Sequence, residues 1–255
     1  MEMHRRVMLK SLAAGLPLAA ILADARLAAA VAAGLETVSI TTAGGRKVSA
    51  ALALPDKTPA PTVMLIHEWW GLNDQIKSVA AELAKEGYVA LAIDLYAGKV
   101  AATADEAHGL MGGLDPKAAT DTLASWIDWL KKNPKGDGKV ATIGWCMGGG
   151  WSLNASLARP VDATVIYYGN VKKSAADLAP LQSPVLMHYG LQDPMINTAM
   201  VQGFEAEAKK AGKSVTVYAY DAAHAFANPT GANFHKDDAQ TAWQRTLEFL
   251  KKYDT

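Results

Sequence analysis

A chain of 255 residues with a single cysteine cannot form an internal disulfide, so its core must rest on packing alone. Net charge is missing as well: 25 lysines and arginines balance 25 aspartates and glutamates, which removes the electrostatic case for nucleic acid or an anionic membrane as partner. No His/Cys/Asp/Glu cluster has metal-ligand spacing, and no Gly-rich loop has the form of a phosphate cradle or dinucleotide fingerprint. Neither a metal nor another cofactor is therefore expected. No repeat period stands out, and the apolar stretch Leu12 to Ala23 is too short to span a bilayer and carries Pro17. What is present is a half-apolar chain, sufficient for one soluble domain over residues 34–255.

The first 33 residues read differently. Arg5-Arg6 precedes an Ala/Leu-rich stretch that ends in the small residues Ala28 to Ala33. This resembles a twin-arginine export signal with an Ala-x-Ala type cleavage site, which implies a periplasmic or secreted monomer with no integral membrane segment after processing. The competing reading is an amphipathic helix kept in the mature protein.

From Leu35 onward strand-like and helix-like segments alternate. Val38 to Thr42 and Lys47 to Leu54 predict a hairpin around Gly44-Gly45, and Thr62 to His67 and Tyr88 to Ile93 predict buried strands. Further strands are expected at Lys139 to Gly144, Ala163 to Tyr168, Val185 to Tyr189 and Ser214 to Tyr220. Helices are expected at Asn73 to Glu86, Asp115 to Lys132, Thr198 to Ala211 and Asp238 to Tyr253; residues 97–113 resist assignment. Repeated β-α units predict an α/β fold, a mostly parallel central sheet with helices on both faces.

The cysteine sits in Gly144-Trp-Cys146-Met-Gly148, between a strand and a helix-like segment. Small residues let such a corner turn tightly and lift the side chain above the sheet edge, and a helix starting at Met147 directs its free N–H groups toward the sulfur. A lone cysteine is otherwise most often a small buried hydrophobe. Reacting groups of an open α/β sheet gather at the carboxyl ends of strands. Asp193 and His224 both follow predicted strands, in the order nucleophile, acid, histidine of the α/β-hydrolase fold. His224 would hold the thiol proton and Asp193 would orient it; His67, beside Glu68 at another strand end, is the competing base. The loop His67-Glu68-Trp69-Trp70 is placed to supply an oxyanion-hole N–H from Trp69, with the other from Met147. Trp69 and Trp70 are expected near substrate, whereas Trp126, Trp129 and Trp243 fall at helical spacing and read as core.

Five pieces together, Glu68-x-x-Gly71-Leu-Asn73, Asp94-Leu-Tyr-Ala97, Gly144-Trp-Cys-Met-Gly-Gly149, Gly190-x-x-Asp193 and His224-x-Phe226, make residues 37–253 resemble the dienelactone hydrolase family. The resemblance implies a carboxylic ester hydrolase in which Cys146, Asp193 and His224 act together through an S-acyl intermediate. It further implies that Glu68 governs ionisation of the thiol. Members that open dienelactone carry an arginine directly after Asp-Leu-Tyr-Ala and another two residues after the phenylalanine of His-x-Phe. Those positions are Gly98 and Asn228 in this sequence. The expected substrate is accordingly a less anionic ester or lactone, bound among Trp69, Trp70, Tyr96, Gly98, Trp145, Phe226 and Asn228. A ligand-binding or thiol redox-sensing protein on the same fold, or an acyl or thioester transferase, are the alternatives.

Overall fold

The computed structural model describes residues 24–254; the Arg5-Arg6 pair and the Leu12–Ala23 stretch lie outside the described residues. Eight strands form one sheet: β1 (Glu36–Thr41), β2 (Lys47–Ala53), β3 (Ala60–Ile66), β4 (Val89–Ile93), β5 (Gly136–Trp145), β6 (Ala163–Tyr167), β7 (Val185–Gly190) and β8 (Val215–Tyr220). Their order is β1-β2-β4-β3-β5-β6-β7-β8. The first two joins, β1 with β2 and β2 with β4, are antiparallel, and the rest are parallel. The predicted hairpin and every predicted strand are present, with ends shifted by up to three residues.

Alternation along the central strands explains why both faces are covered. In β3, Val63 and Leu65 enter one core while Met64 and Ile66 enter another on the opposite face. A strand whose two faces are both apolar must be sandwiched between helices. One face receives α2 (Asp74–Lys85) and α8 (Lys236–Tyr253), through residues such as Leu83 and Leu250. The other receives α4 (Pro116–Lys132), whose Leu123, Trp126, Ile127 and Leu130 form the buried stripe expected from their spacing. Further along that sheet, α7 (Thr198–Lys210) packs Val201 and Phe204 on Met187. Local signals set the helix starts: Asn73 caps α2 and Asp115 caps α4 through their side chains, with Pro116 in the first turn.

Three described helices fall outside the segments assigned as helix from the alternating pattern. α1 (Ala25–Ala32) lies within the segment read as an export signal and packs on α2, burying Ala28, Ala30 and Ala32. α3 (Ala104–Gly112) occupies the unassigned stretch; Ala107 alone is buried along it, so it lacks the apolar stripe that reveals a helix in sequence. Its start is nonetheless capped by Thr103. The four-residue α6 (Ala175–Leu178) carries a capping box between Ser174 and Asp177.

The remaining helix, α5 (Met147–Ala158), is wedged under the strand ends. A Cβ on Gly148 would lie 2.3 Å from the carbonyl oxygen of Ile66 and 2.4 Å from that of His67. A Cβ on Gly149 would lie 2.7 Å from the Tyr167 carbonyl oxygen. These glycines are there for closeness of approach, which fixes the start of α5 against β3 and β6. Two opposing terms decide the effect of adding a methyl. Gly→Ala inside a helix gains about 1 kcal/mol of propensity, while overpacking costs about 1–3 kcal/mol. Gly148→Ala should therefore lower the urea midpoint. Gly203→Ala in α7, where an added Cβ meets nothing within 4 Å, should raise it. Equal midpoints for the two variants would contradict this packing.

Candidate active site

Cys146 caps the N-terminus of α5 with φ 55° and ψ −120°, and it is partly exposed. Positive φ costs a residue with a side chain about 1–3 kcal/mol, so it persists only where the surroundings enforce it. Here the backbone N–H of Cys146 donates to Tyr167 O and its carbonyl accepts from Gly149 N. Among the described residues, three of the four such residues, Cys146, Tyr168 and Ala225, lie in or beside one cluster at the strand ends. Met147 is the first helical residue, so its N–H has no acceptor within α5.

His224 and Asp193 come together from the loops after β8 and β7. Asp193 Oδ2 accepts from His224 Nδ1 at 2.6 Å, and Oδ1 accepts from the backbone N–H groups of Met195 at 2.9 Å and Ile196 at 3.0 Å. Burial works against its charge, yet these donors hold the Asp193 carboxyl below the usual carboxylate range. Burial likewise disfavours the His224 imidazolium. The bond to Asp193 and the facing Cys146 side chain outweigh it and push the imidazole up to about 10. His224 Nε2 is buried and faces the Cys146 side chain, with no nitrogen or oxygen partner among the described residues.

Glu68 is 3% exposed. Its Oε2 accepts from Asn228 Nδ2 at 2.7 Å, and its Oε1 lies 3.5 Å from the Tyr168 hydroxyl. Burial raises this carboxyl to about 7, against the pull of Asn228, His224 and Tyr168 toward the charged form. His67, the competing base, is removed from contention. It is fully buried, its Nδ1–H donates to Glu68 O at 2.6 Å, and its Nε2 accepts from Leu95 N at 3.2 Å. Both nitrogens are committed in the neutral ring, and burial pushes its pKa down. His188 is equally engaged, with Tyr220 and Thr246, and burial brings it down to about 3.

The residues expected around substrate separate into two groups. Trp69 and Trp70 are partly exposed and lie edge to face, and Trp69 meets His108 of α3 in the same way. Tyr96 reaches the Cys146 corner, its hydroxyl 3.1 Å from Met147 Sδ, and burial together with Cys146 pushes it up to about 12. Trp145 and Phe226 are corrections. Trp145 is buried and stacks on Tyr167, because the alternation of β5 turns it away from the corner into the core under α2 and α8. Phe226 is buried against Tyr168 and Tyr220 and supports the site from below. Gly98 lies exposed in a turn tied to the Asp94 carboxylate. Asn228 is 5% exposed and its amide is engaged with Glu68, so it does not present itself to substrate.

Tyr168 escaped the sequence reading. It has φ 37°, touches Glu68, and places its ring 5.1 Å from that of His224. Its position directly after a parallel strand was a usable signal, since that is where the crevice of such a sheet opens.

A sheet of this order, with a strained corner between a parallel strand and a helix and an acid and histidine at later strand ends, is that of an α/β-hydrolase. The match extends to a particular family. The model of the dienelactone hydrolase family fits residues 48–254, and the chain belongs to that family. It is 32% identical over 227 residues to carboxymethylenebutenolidase of Pseudomonas sp. strain P51, covering 85% of this chain and 95% of that one. It is 33% identical over 225 residues to protein usf of Aquifex pyrophilus, covering 83% and 96%. Among solved structures, a dienelactone hydrolase-like promiscuous phosphotriesterase from metagenomic libraries superposes with TM-score 0.79 at 23% identity. The superposition spans 87% of this chain and 99% of that one and bears on the fold alone. The protein is thus a dienelactone hydrolase-like hydrolase.

If Asp193 sets the tautomer of His224, Asp193→Asn should lower ester turnover by roughly 10⁴-fold while leaving the fold intact. Steady-state kinetics beside far-UV circular dichroism test this, and turnover within tenfold of wild type would refute the assignment.

Proposed function

We propose that the protein hydrolyses an ester or lactone through an S-acyl intermediate on Cys146. The observation that carries this reading is His224: bound to a charged Asp193 on one nitrogen, it presents the other, buried, to the Cys146 side chain. The thiol proton passes to the Glu68 carboxylate, the thiolate so formed pairs with the His224 imidazolium, and sulfur attacks the substrate carbonyl carbon. Negative charge on the carbonyl oxygen is met by the N–H groups of Met147 and Trp69. His224 then protonates the leaving oxygen as its bond to carbon breaks; in a lactone that oxygen stays tethered to the acyl group. Water next gives a proton to His224 and attacks the thioester, and the acid leaves as the C–S bond breaks and Glu68 returns its proton to sulfur.

Glu68 regulates the first step in this scheme. A carboxyl that titrates near 7 is matched to accept a thiol proton at neutral pH, and substrate entry would displace it from its present donors toward Cys146. Until then a thiol kept neutral resists oxidation. The favoured substrate is neutral, because Gly98 carries no charge and Asn228 is neutral and occupied. Partly exposed Trp69 and Trp70, and the exposed Leu191 and Met195 flanking Asp193, support an apolar substrate. Export through the Arg5-Arg6 segment, and action as a monomer outside the cytoplasm, complete the proposal.

Mixing the enzyme with a p-nitrophenyl ester should release a burst of nitrophenolate equal to the enzyme concentration. Cys146→Ala should show none, and an unchanged burst would rule out the nucleophile. Across matched lactones with and without a free carboxylate, the neutral member should be turned over at least as fast. A preference of more than about tenfold for the anion, worth some 1.4 kcal/mol in the transition state, would reverse the substrate assignment.

A further inference from the structure

The Asn228 carboxamide has a fixed orientation. Its Oδ1 accepts from the backbone N–H of Thr230 at 2.9 Å and from the Thr230 hydroxyl at 2.7 Å, so its only way to face Glu68 is with the Nδ2 donor, at 2.7 Å. An amide with its oxygen committed elsewhere can donate to a carboxylate but cannot accept from a carboxylic acid. The loop is itself tied down, since Asn228 N donates to Ala225 O at 3.0 Å and Asn228 O accepts from Gly231 N at 3.0 Å. Ala225 is the positive-φ residue next to His224, so one short loop carries both the imidazole and the partner of Glu68.

We propose that Asn228 is a positioning residue for the reaction: its one-way donor parks the Glu68 carboxyl away from the thiol and sets the pH at which that carboxyl ionises. The inference rests on the role assigned above to Glu68. The other groups facing Glu68 are the Tyr168 hydroxyl from the end of β6 and the His224 ring from the same loop as Asn228. Cys146, at the start of α5, acts on Tyr168 alongside Glu68, while the His67 side chain is turned to backbone partners. Among these, Asn228 is the closest hydrogen-bond donor to the carboxyl, and the longer Tyr168 contact cannot replace it. Burial drives the carboxyl toward its neutral form, and the amide opposes it. Losing the amide should leave burial less opposed and move the ionisation upward.

The test exploits the single cysteine, because iodoacetamide alkylation of the thiol then reports one site. The alkylation rate against pH should show an inflection from Glu68 that Glu68→Gln removes. Asn228→Asp keeps an oxygen for Thr230 and replaces the donor with an acceptor. Asn228→Ala removes both, so either variant decides the question if the other fails to fold. Both should move the inflection up by about one pH unit or more, as expected for loss of a hydrogen bond to a charged group. In a Glu68→Gln background the same substitutions should leave the profile unchanged, since two residues acting through one interaction are not additive. An inflection that stays put, or a shift that persists without Glu68, would overturn the role of Asn228 while leaving Glu68 in place. If Glu68→Gln itself leaves the profile unaltered, the parent assignment of Glu68 falls, and that of Asn228 with it. The Cys146→Ala burst experiment remains independent of both.

Discussion

The close contact between the first turn of α5 and the ends of β3 and β6 is the constraint on which the site depends. Gly148 and Gly149 let helix backbone touch strand carbonyls, and that contact forces Cys146 into a positive-φ corner no residue with a side chain adopts freely. The strain is held by the packing of a large sheet on both of its faces. Its result is a partly exposed sulfur at a helix N-terminus, with first-turn amides beside it and the ends of three further strands around it.

Around that corner two carboxyls are driven apart by their surroundings. Asp193 is as little exposed as Glu68, yet three hydrogen bonds, two of them from backbone, keep it charged. Glu68 has one short donor and one long contact, so burial prevails and its carboxyl rises to about 7. Such divergence gives one scaffold a carboxyl that stays charged beside the His224 imidazole and another that titrates near neutrality. The two other histidines buried nearby, His67 and His188, are spent on hydrogen bonds within the fold and are held neutral.

Legibility of the chain followed the physics of each signal. Long, evenly patterned segments such as Thr62 to His67 or Asp115 to Lys132 were readable because burial on both faces, or on one stripe, leaves a pattern in composition. α3 was not, since its backbone is helical by capping and its side chains are mostly exposed. The acid and histidine were readable by order along the chain. Trp145 and Phe226 were misplaced by their nearness in sequence to Cys146 and His224, although neighbours along a strand or a tight loop point in different directions. α1, in the stretch whose composition reads as an export signal, packs its small residues on α2.

By itself the sequence determined the α/β architecture, the glycine-flanked corner and the identity of the groups that could reach it, because periodicity, turn chemistry and strand-end position are local properties. It also determined membership of the family, through motifs that span the whole domain. Only the tertiary structure decided which histidine was free, that Tyr168 belonged to the cluster, and that Asn228 faced Glu68 across 160 residues of chain. Those outcomes turn on how far each polar group is buried and which partner it then finds, and both quantities exist only once distant loops have met at the end of the sheet.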